Sequence, residues 1–95
     1  MGLLFHIIRQ LVTTERYLVG LHASERLEER GIMEWQVIAE MESCSLISER
    51  PHAIPHPTVE VRVVLPDGCE VKAVWSHLSH SGVAKLVTVH FLERN

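Results

Sequence analysis

His22, Arg26 and Arg30 stand at i, i+4 and i+8, so a helix sets them along one broad face. Glu25 and Glu29 run beside them as a parallel acidic row. Like charges at i and i+4 cost about 0.2–0.5 kcal/mol per pair, and a helix built only for stability would alternate the signs within each row. The segregated cationic row fits contact with an anion, either a phosphate or a carboxylate elsewhere in the fold. Pairing inside the fold is the alternative: Arg26 with Glu29 at i+3, Arg30 with a buried or interfacial acid, and His22 hydrogen-bonded to backbone at a helix start. Histidine titrates near neutral pH, so His22 or His90 can act as general acid or base in cleaving RNA through the neighbouring 2′-hydroxyl. Thr88, two residues before His90, can orient a phosphate.

A second cationic pair follows from strand register. Val59, Val61, Val63 and Leu65 alternate with polar positions, and so do Cys69, Val71, Ala73 and Trp75. Their apolar faces coincide only if odd positions pair with odd. A two-residue loop would set Val63 against Lys72. A three-residue loop, Pro66-Asp67-Gly68, pairs Leu65 with Cys69, Val63 with Val71 and Val61 with Ala73. Proline suits the first turn position and glycine the left-handed residue of the bulge. This register sets Arg62 opposite Lys72 on the polar face, an unfavourable like-charge pair. An anionic ligand or an RNA backbone would relieve it, and so would Glu60 or Glu70 as a diagonal neighbour. If Arg62, Lys72 and the helical arginines converge, they can hold phosphate and stabilise a pentavalent transition state.

The remaining reactive residues point elsewhere. His77-x-x-His80 and His52-x-x-x-His56 lie in expected loops far apart, with no Cys-x-x-Cys beside them, so no zinc set is assembled and no metal or other cofactor is expected. Cys69 faces the expected core, as a small apolar residue. Cys44 has no histidine beside it to activate it. Trp35 and Trp75 are expected as core or interface anchors, being too few for a base-stacking face.

Several elements must position these side chains. Leu3, Leu4, Ile7, Ile8, Leu11 and Val12 make a stripe of period 3.6, a helix ending near Thr13-Thr14. A short strand is expected within Arg16–Leu21. Helices are expected at His22–Arg30, stopped by Gly31, and at about Met33–Ser43 with Val37, Ile38 and Met41 inward. Leu46-Ile47 is expected to begin an edge strand, residues 51–57 to form an extended proline-rich loop, and Val83–Leu92 to make a third, apolar and central strand. The expectation is one α+β domain over residues 1–95. Its N-terminal helices pack on one face of a three- to four-stranded antiparallel sheet.

The bulk figures agree with a small globular domain: 95 residues, 46% hydrophobic and 22% charged. A net charge of −3 gives no overall basic field to draw in nucleic acid. Two cysteines make no disulfide framework, which fits reduced thiols and a cytoplasmic setting. His6 and Arg9 interrupt the first apolar run and no basic region precedes it, so neither a signal peptide nor a membrane span is expected.

The run His22-Ala23-x-x-Arg26-Leu27-x-x-Arg30-Gly31-Ile32, the lead-in from Arg16 to Leu21, and the closing Leu86-Val87-Thr88-Val89-His90-Phe91 together resemble the bacterial "domain of unknown function 4258" family. The resemblance implies a fold similar to small ribonuclease toxins of the RelE and barnase-like group, with helices against one face of an antiparallel sheet. Met33 departs from the family's usual Ser or Thr helix cap, and His90 stands where an aromatic is usual. Two functions compete. One is a toxin-like ribonuclease or RNA-binding relative, carried by His22, Arg26, Arg30, Thr88 and His90 with Arg62 and Lys72 on phosphate. The other is a protein-contact module, with a partner or a second copy docking on the N-terminal helix. A histidine metal-binding domain ranks third.

Overall fold

The computed structural model describes residues 2–92. Helix α1, Leu3–Thr13, turns Leu4, Ile8 and Val12 into the core and leaves Leu3 75% exposed. The apolar stripe is therefore spent on the protein's own sheet, and little of it is left for a partner. The Phe5 N–H at the helix start donates to Glu49 Oε2 at 2.7 Å, which puts a carboxylate at the positive end of the helix dipole. The helix closes at its C-terminus with Glu15 at φ 64°: Arg16 N–H donates to Leu11 O at 2.7 Å and Glu15 N–H to Val12 O at 3.1 Å. This is a Schellman closure on a residue other than glycine.

Strand β1, Tyr17–Val19, leads through Gly20 into helix α2, Leu21–Glu29. Gly20 N–H donates to Leu86 O at 2.9 Å, and a Cβ on Gly20 would stand 3.0 Å from that same oxygen. Glycine is needed there for close approach rather than for an unusual φ. Helix α2 buries Ala23 and Leu27 and ends at Gly31, φ 68°, with Ile32 N–H donating to Leu27 O at 2.9 Å. The stop expected at Gly31 is the one observed. Helix α3, Glu34–Ala39, is shorter than expected and tightens into a 3-10 turn, Glu40–Glu42, before the sheet resumes. Met33 offers no capping side chain, but Gln36 Oε1 accepts the Met33 N–H at 2.9 Å, half of a capping box.

Strands β2 (Ser45–Arg50), β3 (Thr58–Val64), β4 (Glu70–Leu78) and β5 (Val83–Phe91) complete a five-stranded sheet of order β1-β5-β4-β3-β2. The fold is α+β, with the helices on the sheet, but the expected three- to four-stranded antiparallel sheet is corrected. The sheet is mixed, because β1 runs parallel to β5 (Tyr17↔Ala84, Val19↔Leu86). Local pattern identifies a strand and gives no sign of a partner so distant along the chain. The β3–β4 hairpin has the expected register, with Val63↔Val71, Val61↔Ala73 and Arg62↔Lys72. Leu65 N–H donates to Cys69 O at 2.7 Å, and Gly68 takes φ 90°.

Val59, Val61, Val63, Val71, Ala73, Trp75, Leu86 and Val89 form the core face of the sheet under α1. Two expectations about individual side chains fail, those for Cys69 and His77, and the two tryptophans divide between the alternatives left open for them. Cys69 is exposed, not buried, because the loop turns it out of the pleat just before β4 begins. Trp35 is 60% exposed, in the first turn of α3, whereas Trp75 is fully buried. His77 lies within β4 rather than in a loop.

Candidate functional site

The site forms where α2 passes the second half of β5. β1 pairs only with Ala84–Leu86. Gly20, at the start of α2, is bonded to Leu86, and the Arg30 guanidinium at its far end lies over the Phe91 ring, 5.0 Å from the centroid. These two contacts lay α2 along Val87–Phe91, the part of β5 that β1 leaves uncovered. Ala23 and Leu27 face the core, and Arg30 meets Phe91, which shares the register of Val89 and Val71.

His90 and Thr88 share the strand's polar side, opposite Lys72 and Val74 respectively. Burial, first, and then the charges of Lys72, Arg26, Arg30 and His22 hold the His90 imidazole below its ordinary pKa. Cations from a helix and a neighbouring strand thus act together on one histidine. Of the side chains singled out from sequence, Lys72 and His90 face each other on the ladder, Thr88 lies two residues before His90 on the same side, and the helix carrying His22, Arg26 and Arg30 runs beside that strand.

Arg62 does not join them. Its Nε donates to Glu70 Oε1 at 2.8 Å, and it is not among the charges acting on His90. Lys72 Nζ lies 4.0 Å from Glu60 Oε1. Glu60 also meets Arg50 at 3.5 Å and accepts from Ser48 Oγ at 3.2 Å. The like-charge pair Arg62/Lys72 is therefore relieved by its two diagonal glutamates, which was one of the expected resolutions. Arg26 Nη1 lies 3.8 Å from Glu29 Oε1, the expected i+3 contact, with Glu29 largely exposed. A pair this long and this wet contributes little. The Arg50 and Ser48 contacts of Glu60, and Phe91 as a ring under Arg30, were not singled out from sequence. The register of β2 on β3 would have found the first. The second depends on the path of α2 and left no local signal.

A hollow of about 340 Å³ opens beside Phe91, lined also by Asp67, Gly68, Glu70 and Leu92. A separate groove of about 390 Å³ between α1 and α3 carries Glu15, Glu42 and Tyr17 and none of the expected site residues. Among the described residues no three His, Cys, Asp or Glu side chains come together in a way that could hold a metal ion. Cys44 is buried, and burial pushes its thiol pKa up against the opposing pull of Arg9, the reverse of what a nucleophile needs. No helix among the described residues is long and apolar enough to cross a membrane. No family model, curated protein or solved structure matches the chain.

Proposed function

We propose that this chain binds RNA by its phosphodiester backbone at the His90 cluster and cleaves it there, as a small cytoplasmic ribonuclease of toxin type. The observation that carries the reading is the course of α2, with its His22, Arg26 and Arg30, along the part of β5 that holds His90 opposite Lys72. His90, its imidazole held below its ordinary pKa chiefly by burial, accepts the proton of a 2′-hydroxyl. O2′ then attacks phosphorus, the P–O5′ bond breaks, and His22 gives a proton to the departing 5′-oxygen, leaving a 2′,3′-cyclic phosphate. Arg26, Arg30 and Lys72 balance the charge that builds on the phosphoryl oxygens. The resemblance in the helix and closing-strand motifs points the same way.

The test is incubation of the purified protein with a labelled single-stranded RNA. His90→Ala is expected to lower cleavage at least a hundredfold, in the usual range for a lost general base, while the fold is kept. Arg26→Ala with Arg30→Ala is expected to weaken RNA retention. Cleavage by His90→Ala equal to wild type, or no RNA retained by the wild type, overturns the reading. The protein-contact alternative rests on Trp35 and Met33, both exposed at the start of α3. A mass that rises with concentration, with no RNA retained, supports that alternative instead.

A further inference from the structure

The groove between α1 and α3 uses none of the residues assigned to RNA. Three parts of the chain build it. The end of α1 and its closing turn bring Val12 and Glu15, the start of β1 brings Tyr17, and α3 with its 3-10 turn brings Ile38, Ala39 and Glu42. Val12 is buried and Ile38 half-buried, so the floor is apolar, while Glu15 and Glu42 are exposed at the mouth. The Tyr17 ring stands at 86° to that of buried Trp75, with centroids 6.4 Å apart, and this contact holds it in place. Neither carboxylate joins an ion pair among the described residues. The Tyr17 hydroxyl likewise meets no hydrogen-bond partner among them. Arg16 stands between Glu15 and Tyr17 in sequence but is not part of the wall. The described lining therefore carries two negative charges and no positive one.

We propose that this groove binds a small aliphatic diamine, with its ammonium groups on Glu15 and Glu42 and its methylene chain on Val12, Ile38 and Ala39. Charge complementarity selects a cation, and the apolar floor selects an organic one. An ammonium group donates three hydrogen bonds and accepts none, which suits two carboxylates and a tyrosine hydroxyl. A hard metal ion takes six or so oxygen ligands and gains nothing from the floor. The volume, about 390 Å³, lies at the small end of the range for ligand sites. A lysine of a protein partner would present the same ammonium. The free molecule fits better, because protein interfaces centre on large apolar anchors. None of the exposed large hydrophobic side chains lines this groove. The inference stands independently of the ribonuclease reading.

Calorimetric titration with putrescine, at constant ionic strength, tests the site, and melting in the same amine gives a second readout. The wild type is expected to bind a single putrescine and to melt several degrees higher once saturated, since a ligand that binds only the folded state stabilises it. Glu15→Gln and Glu42→Gln are each expected to lower the affinity about tenfold, as for a lost hydrogen bond to a charged group. Both side chains are exposed and outside any ion pair among the described residues, so each variant is expected to melt as the wild type does without amine. Butylamine, with the same carbon chain and one ammonium, is expected to bind about tenfold more weakly. Magnesium chloride is expected to give no comparable rise in melting. No putrescine bound by the wild type overturns the site, and so does an affinity unchanged in either variant. Magnesium that matches putrescine also overturns it, leaving only general screening of an acidic chain. N-acetyl-lysine amide that matches putrescine assigns the groove to a partner's lysine and overturns the diamine. His90→Ala is expected to bind putrescine as the wild type does, so the ribonuclease reading can fail while this one holds.

Discussion

His90 is the side chain on which the local electrostatics converge. It is partly desolvated and faces Lys72 across the ladder and Arg26, Arg30 and His22 from α2, so its protonated form is disfavoured. Salt screens such interactions over a distance that shrinks from ~30 Å at 0.01 M to ~3 Å at 1 M. An NMR titration of the His90 ring is expected to give a pKa that climbs towards the ordinary value as salt rises, and Lys72→Met is expected to raise it at low salt. A value indifferent to both would remove the cations from its surroundings. The consequence for stability has a definite sign. The folded pKa lies below the unfolded value of about 6.5, so the unfolded chain takes up the proton first. The contribution of His90 is intact above that pH and is lost as pH falls through the folded pKa. At this scale the sequence showed much: the helical row, the Arg62/Lys72 opposition and its diagonal glutamates were all legible from spacing. That the row meets His90 was not, because it depends on how far β1 covers β5.

At the scale of elements, the ends of helices and hairpins decide where side chains go. Helices α1 and α2 close in the same way, yet α2 does so on Gly31 and α1 on Glu15 at φ 64°. The left-handed region costs a side-chain-bearing residue about 1–2 kcal/mol, which glycine avoids while losing some of the gain to its freer unfolded state. Glu15→Gly is therefore expected to stabilise the fold by about 0.5–1 kcal/mol, raising the melting temperature by several degrees. Glu15→Ala is expected to give no such gain, and equal melting of the two variants would deny the left-handed closure. Sequence reading located the end of α2 because glycine announces it, and placed the end of α1 only from Thr13-Thr14. The Pro66-Asp67-Gly68 turn was legible because parity and turn chemistry agree. Parity carried too far is what misplaced Cys69: alternation holds inside the ladder, and the loop releases the residue just outside it. The break between α3 and its 3-10 turn carries no comparable marker.

Across the molecule, a net charge of −3 coexists with a local gathering of cations. Overall charge and local field are different quantities, and only the second meets a ligand at contact distance. RNA binding at this site is expected to weaken with salt. With Arg26, Arg30 and Lys72 on phosphates, the slope of log affinity against log salt is expected at about −2, from roughly −0.7 per neutralised phosphate on a single strand. A slope near zero would place any RNA elsewhere than on these cations. Composition and alternation gave the fold class and the strand positions. The mixed sheet lay beyond them, since strand pairing across most of the chain leaves no trace in local periodicity.

The parallel pairing of Tyr17–Val19 with Ala84–Leu86 also sets an order in time. During synthesis the first strand and the cationic helix emerge long before the strand they must lie beside, and β5 also supplies Thr88 and His90. Because domains complete folding as units once their elements are available, a growing chain carries the arginines but not the histidine they surround. Whatever the cluster does, it begins only when the ribosome has finished with residue 90.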